Sequence, residues 1–571
     1  MHDLIIRSAT LVDGFGTPAR KADLAVRQGR ISAIGVVEDE AAEVVDAMGL
    51  VLAPGVIDVH THYDAQLTWD SQASPSPALG VTTVVIGNCG FGIAPATQEA
   101  RDTIMKNLAT VEAMSIDSLR AGIDWDFETF ADYLALLRRK GTCPNVAAYA
   151  SHSAIRTVVM GEAASERAAT TDELQCMVRV FRDCMAAGAF GLGSSTFENH
   201  KGWGGVPVPS RLANEDEFRA FASVVAEFQH GTMMMTAGNG TSISFLEELA
   251  KISGRPVIYA PLLHYSNQPN RARDLSAACR SARERGHPVY AQVSCQPLSM
   301  DFTLNAPYPM LTIAGWPQTP DIENLIQVYQ GRDFRQQVRE DLKKPNGARI
   351  FNGDWDRVEV SLGATPETKR HEGRTIAEIA AEANADELDV FLDIGLEDGL
   401  ATVFTGKLLN IEEDKVSELL ADEGSLVSLS DAGAHHTFFC DAGYAMHLLG
   451  HWVRERGLFS LSEAVQMLTA DIADIYGIPN RGRLRVGAWA DMILFDPVTI
   501  SITKPKRVFD LPAGGMRLVR DAPGLAGTWV NGIKVFDGED YTNVHCPGHI
   551  LTEFESGLSS IGMPGHRRVV A

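Results

Sequence analysis

The chain has 571 residues, 45% of them hydrophobic and 22% charged, which is the balance of a soluble globular protein. That length exceeds one simple core and predicts one large domain with additions. A formal net charge of −23 argues against nucleic acid, which needs a basic footprint, and against an anionic membrane surface; its plain reading is solubility.

Residues 3–53 carry short β-rich runs, "DLIIRSATLVDG", "ADLAVRQGRISAIG" and "EVVDAMGLVLAPG", separated by glycine-containing turns. The amino end has no basic start followed by an apolar stretch, so no secretory leader is read there. Pro77 to Ala96 carries no charge, but glycines and Asn88 interrupt it, and it reads as a buried strand with its loops rather than a membrane span. The middle then alternates. "GVTTVVIG", "NVAAYASHSAIR", "AFGLGSS", "TMMMTAG", "PVIYAPLLH", "PVYAQVS" and "LVSLSDAG" are apolar strands, most of them followed by amphipathic helical sequence. Thr170 or Thr171 can cap one helix, and Ser460 with Glu463 forms a capping-box pattern at another. With "VIDVHTH" first, about eight strands alternate with helices, which predicts a parallel sheet closed as a (β/α)8 barrel, with a doubly wound open sheet as the runner-up.

Between 300 and 425 the rhythm breaks into proline-rich loops and helical pieces, read as a long insertion before the last barrel strand. Trp316, Phe351 and Trp355 in it are candidate walls of an apolar pocket. The far end, "GRLRVGAWADMILFDP" and "GTWVNGIKVFDG", is again β-rich. The predicted organisation is therefore a small composite β-sandwich domain from 1–54 and 480–545, a barrel over 55–479 containing the insertion, and a tail over 546–571. Eight scattered cysteines without paired spacing fit a reducing cytoplasm.

In "VIDVHTHYD", His60 and His62 are separated by one residue, so on a strand both imidazoles face one way, toward the barrel axis. Two neutral imidazoles side by side suit a divalent transition metal. Cys89 in "VVIGNCGFG" is either a metal-binding thiolate or a buried structural cysteine. Asp431 ends the apolar strand "SLVSLSD", where a carboxylate can ligate a metal and take a proton from its water. His435 and His436 follow closely and are candidate substrate contacts or solvated loop residues.

"PGVIDVHTHYD", "GVTTVVIGNCGFG", "ASHSAIRTVVMG", "MAAGAFGLGSS", "SDAGAHH" and "NRGRLRVGAWADMILFDP" resemble the amidohydrolase superfamily, specifically its D-aminoacylase (N-acyl-D-amino-acid deacylase) branch. The resemblance covers most of the chain and is poor at 300–425. It implies a barrel with a composite β domain, a zinc-centred site and hydrolysis of an amide. By match, His60 and His62 take the paired-histidine role, Cys89 the thiolate role and Asp431 that of the catalytic aspartate. His152 stands where the family keeps a third-strand histidine near substrate. The family's fifth strand normally ends in a ligand histidine followed by an arginine that grips the substrate carboxylate; here Ala237 and Asn239 stand near those places. Its sixth strand normally supplies another histidine, and here Pro261 is near that place with His264 three positions later, able to complete a second metal site if the loop turns inward.

The expectation is a zinc-dependent hydrolase of amide C–N bonds, in which metal-bound hydroxide attacks and Asp431 serves as general base and acid. One zinc is held by His60, His62, Cys89 and Asp431. The substrate is a small N-acyl-amino-acid-like or other acyl amide, or a cyclic amide, and the working form a homo-oligomer. The alternative of another class is a catalytically inactive barrel serving as an assembly protein.

Overall fold

The computed structural model describes residues 1–556 apart from 239, 318–320, 345–348, 436, 439 and 543–544. Its centre is a run of short parallel strands: β1 (Val56–Asp58), β2 (Val81–Ile86), β3 (Asn145–Ala148 and, one residue on, Ala150–Ser151), β4 (Gly191–Ser195), β5 (Thr232–Thr236), β6 (Val257–Leu262), β7 (Val289–Val293) and β8 (Ser425–Val427). Each pairs in parallel with the next. A further parallel bridge between Thr61 and Ala432 joins the last strand's end to the first's. β2, β4, β5 and β7 are buried at every position, which is why they read as unbroken apolar or small-residue runs instead of alternating ones.

The helices that follow the strands are amphipathic. On Thr171–Ala186 the buried residues are Met177, Phe181, Cys184 and Met185, at the spacing of one helical stripe. Burying a side chain such as Phe181 fully contributes about 1.5–3 kcal/mol relative to leaving it exposed. Thr170 with Glu173, and Ser460 with Glu463, close reciprocal capping boxes where the sequence pattern places them.

Strands from both ends of the chain hydrogen-bond into one eight-stranded sheet. Val51–Pro54 pairs antiparallel with Met492–Phe495, which pairs with Leu525–Val530. The sheet is continuous, where the sequence reading has a sandwich. Its first strand, His2–Leu11, is long enough that one edge takes two successive partners, Ala41–Asp46 and Val51–Pro54.

The segment after β7 has its own apolar core and its own antiparallel sheet of Leu298–Phe302, Val403–Leu409 and Val358–Leu362. Trp316, Phe351 and Trp355 are buried in that core, with the Phe351 and Trp355 rings 4.6 Å apart, so they pack the insertion and do not wall a pocket. Residues 545–556 form no free tail. They run along the N-terminal end of β3, with Val146 N–H donating to His549 O and Leu551 N–H to Val146 O. Residues 557–571, the rest of the expected tail, lie outside the described residues. No helix among the described residues is long and apolar enough to cross a membrane.

Candidate functional site

The chain leaving β1 stays extended, so His60 and His62 share a face while Thr61 turns away and donates its hydroxyl to Val85 O. Two backbone bonds then fasten this segment to the end of β8: Asp431 N–H to His60 O (3.1 Å) and His62 N–H to Ala432 O (2.8 Å). Those bonds carry the Asp431 carboxylate to the two imidazoles. Cys89 lies after β2 at φ +54°, a left-handed conformation that costs a non-glycine residue about 1–2 kcal/mol. The turn around it is over-determined. Gly87 N–H donates to the buried Asp64 carboxylate at 2.9 Å. A Cβ on Gly90, itself at φ +75°, would lie 2.8 Å from the backbone oxygen of Gly193.

Four donor atoms converge here. His60 Nε2 is 3.4 Å from Cys89 Sγ and 3.3 Å from Asp431 Oδ1. His62 Nε2 is 3.9 Å from the sulfur and 3.1 Å from the same carboxylate oxygen. Separations of 3–4 Å are those of neighbouring ligands around one tetrahedral ion with bonds of about 2.0–2.3 Å. His60, His62 and Cys89 are all buried and form a group whose ligand atoms lie within 4.8 Å of one another. Two nitrogens, a sulfur and an oxygen suit zinc by donor chemistry.

Each donor is also held from behind. His60 Nδ1 lies 2.7 Å from Gln292 Oε1, and Gln292 is oriented by its own amide donation to the Tyr476 hydroxyl. A carbonyl oxygen only accepts, so His60 carries its proton on Nδ1 and turns the Nε2 lone pair to the cluster. Thr236, the last residue of β5, donates its hydroxyl to Cys89 Sγ at 3.0 Å. His62 Nδ1 faces Glu112 Oε1 at 3.5 Å. Glu112 is buried, and its second oxygen is 3.7 Å from His435 Nε2, while its backbone oxygen accepts from His435 N–H. His435 in turn is 3.5 Å from Asp431 Oδ2.

The electrostatics follow from this crowding. Burial opposes protonation of His60, but the adjacent Cys89 sulfur and Asp431 outweigh it and raise the imidazole to about 9. Burial likewise raises the Cys89 thiol, and the two histidines more than reverse that, holding it below the ordinary thiol value. Asp431 is held well below the usual carboxylate range; burial opposes this, and hydrogen bonds from His435 and His62 prevail. Without a cation the imidazoles therefore keep their protons and the thiol ionises readily, so a cation binding here must displace protons from nitrogen.

Other candidates lie elsewhere. His152 is the first residue of a helix, His152–Met160, capped by Ser151, and not a strand-end residue. Both its ring nitrogens are engaged, with Ser194 Oγ and Glu217 Oε1 at 2.7 Å each, and Arg156 pairs with the same Glu217. That buried network leaves His152 no nitrogen for substrate or metal. His264 is drawn to the insertion: its backbone N–H donates to Asn410 Oδ1, and its ring lies 4.0 Å from Glu412. It does not join the donor group. His436 and Asn239 lie outside the described residues.

Glu112, Gln292 and Thr236 were not singled out from the sequence. A glutamine inside the apolar strand "VYAQV" and a threonine closing "TMMMT" are visible signals of polar groups aimed at a partner. Glu112 ends a helix (Arg101–Val111) far from any motif, and nothing in the local sequence marks it.

Comparison with known proteins matches residues 43–536 to the amidohydrolase family model. The chain is 30% identical over 560 residues to a D-aminoacylase of Alcaligenes xylosoxydans xylosoxydans, covering 96% of this chain and 97% of that one. It is 29% identical over 566 residues to an N-acyl-D-aspartate deacylase of the same organism, covering 96% and 95%. Among solved structures, the N-acyl-D-glutamate deacylase from Bordetella bronchiseptica, complexed with zinc and a phosphonate mimic of the tetrahedral intermediate, superposes with a TM-score of 0.65 at 25% identity, covering 97% of this chain and all of that one.

Proposed function

The chain belongs to the amidohydrolase family, in its D-aminoacylase branch, and on that premise we propose that it hydrolyses the amide bond of N-acyl-D-amino acids on a (β/α)8 barrel, using one zinc ion. The observation that carries this reading is the buried group of His60, His62 and Cys89, with the partly exposed Asp431 Oδ1 at 3.3 Å from His60 Nε2 and 3.1 Å from His62 Nε2. An inert framework has no use for four such donors, each braced by a second residue.

A zinc ion held by His60, His62 and Cys89, with Asp431 beside them, would supply Lewis acidity to the substrate carbonyl and to the attacking water. The protein's own groups do the rest. Asp431, kept ionised by its histidine neighbours, is in the state that accepts a proton from that water. It then returns the proton to the leaving nitrogen, so the C–N bond breaks to give a carboxylic acid and an amine. His435, bonded to Asp431 on the side away from His60, steadies the carboxylate and offers a donor to substrate. Gln292 keeps His60 in the tautomer with Nε2 free.

The test is turnover of N-acetyl-D-amino acids and their L-enantiomers by purified protein, alongside its zinc content. The expected result is about one zinc per chain, hydrolysis of D-substrates, loss of both on chelation and return of both with zinc. Asp431→Asn should fold and lose at least a hundredfold in kcat, the lower range for a removed general base. A fully zinc-loaded protein inert toward the whole panel would overturn the proposal.

A further inference from the structure

Two cysteines distant in sequence meet where the C-terminal segment crosses under the strand ring. Cys143 Sγ and Cys546 Sγ are 2.8 Å apart, closer than two non-bonded sulfurs rest. Cys143 is buried and Cys546 half-buried, in a small apolar cluster with Val530 and Val535 of the composite sheet. We infer that Cys143 and Cys546 form an oxidisable dithiol whose disulfide clamps residues 545–556 to the base of β3.

The clamp has something to hold. Beyond Cys546, Gly548 N–H donates to Thr142 O, Val146 N–H donates to His549 O, and Val146 O accepts from Leu551 N–H. Asn531 donates to Pro547 O, and Asn145 Oδ1 accepts from both Asn531 and His549. Farther on, Phe554 packs against Phe190 with ring centres 4.6 Å apart, and Arg255 donates to Ser556 O. The segment thus ties the composite sheet to the barrel and covers part of the barrel's core. Among the described residues, the other anchors along it are hydrogen bonds and apolar contacts, and the sulfur pair is a place where a covalent one can form.

The reaction balances by ordinary thiol–disulfide exchange with a small disulfide such as oxidised glutathione. The Cys546 thiolate attacks one glutathione sulfur and expels the other as thiolate. Cys143 then attacks Cys546 in the mixed disulfide and expels the second glutathione. Two electrons pass from the protein pair to the small disulfide, and the two protons go to the departing thiolates. Cys546, the more accessible sulfur, has its thiol lowered by the hydrogen bond from Cys143, which fits the attacking role. In a reducing compartment the same equilibrium runs backward.

The full-length protein is equilibrated in glutathione buffers from fully reduced to fully oxidised, quenched with acid, and its thiols alkylated in denaturant. The expected result is a loss of two thiols from the eight, a peptide carrying Cys143 joined to Cys546, and slower protease release of the segment after 545 in the oxidised protein. Cys546→Ser and Cys143→Ser should each abolish the joined peptide and the protease difference, with amidase activity of the reduced protein unchanged. All eight thiols alkylated at every ratio would overturn the inference. So would a glutathione adduct on Cys546 that never resolves, or a joined peptide involving another cysteine. None of these readouts depends on which amide is the substrate.

Discussion

Replacing Glu112 with Gln isolates the least expected feature of the centre. The carboxylate stands behind His62, with Oε1 3.5 Å from Nδ1, and reaches His435 at 3.7 Å. Between two full charges at that range the attraction is roughly 5 kcal/mol at an effective dielectric of 20. That is an upper bound, because His62 must be neutral to hold a cation. What remains is orientation and added basicity of the imidazole, and loss of such a partner typically costs 10–100-fold in metal affinity, about 1.4–2.7 kcal/mol. Gln keeps the size and one acceptor, so Glu112→Gln should fall near the tenfold end and Glu112→Ala near the hundredfold end. The assay is zinc affinity by competition with a chromophoric chelator, with the metal-free melting temperature recorded beside it. A zinc affinity within twofold of wild type for both variants would refute the idea that Glu112 acts through His62.

Three further outcomes follow from the geometry. Zinc affinity should climb with pH up to about 9, because His60 is raised to about 9 in the metal-free protein and must shed its proton to bind; each proton displaced contributes about tenfold per pH unit, read by the same competition titration. Gly90→Ala places a Cβ 2.8 Å from the Gly193 oxygen at φ +75°, so it should destabilise the fold by about 1–3 kcal/mol in urea and disturb the Cys89 turn, lowering zinc content. Burial, opposed by Arg520, raises Asp441 to about 7, so the folded state holds a proton that the unfolded chain gives up near 3.8. The stability this proton carries is complete below about pH 4 and drains away as pH rises toward 7. Asp441→Asn should therefore show a shallower loss of urea midpoint than wild type between pH 5 and 7.

Much of the strand succession was legible, because parallel strands buried on both faces leave unmistakable apolar runs and helix starts leave capping residues such as Thr170 and Ser460. The pairing of His60 with His62 was legible for the same local reason, the two-residue period of an extended chain. Where the path of the chain depends on a turn, the local sequence says less. The third strand stops at Ser151, whose hydroxyl caps a helix, so His152 leads into a buried ion network. The sixth strand ends at Leu262, and Asn410, nearly 150 positions away, takes the backbone of His264. The three-stranded sheet of the insertion escaped notice because its short strands are separated by helices and proline-rich loops longer than any hairpin connection. Glu112 is the sharpest case: its role exists only after residues 112, 62 and 435 have been brought together.

The seam between the first strand and the last has a temporal side. Asp431 reaches His60 through bonds that also close the strand ring, and the whole insertion separates that closing strand from its predecessor. A ribosome must therefore deliver more than 430 residues before the Asp431 carboxylate can meet the imidazoles, and a nascent chain stalled within the insertion would hold His60, His62 and Cys89 without Asp431. The seam that completes the strand ring also brings Asp431 to the two imidazoles, so a lesion that keeps the final strand from docking separates them even where every side chain is intact.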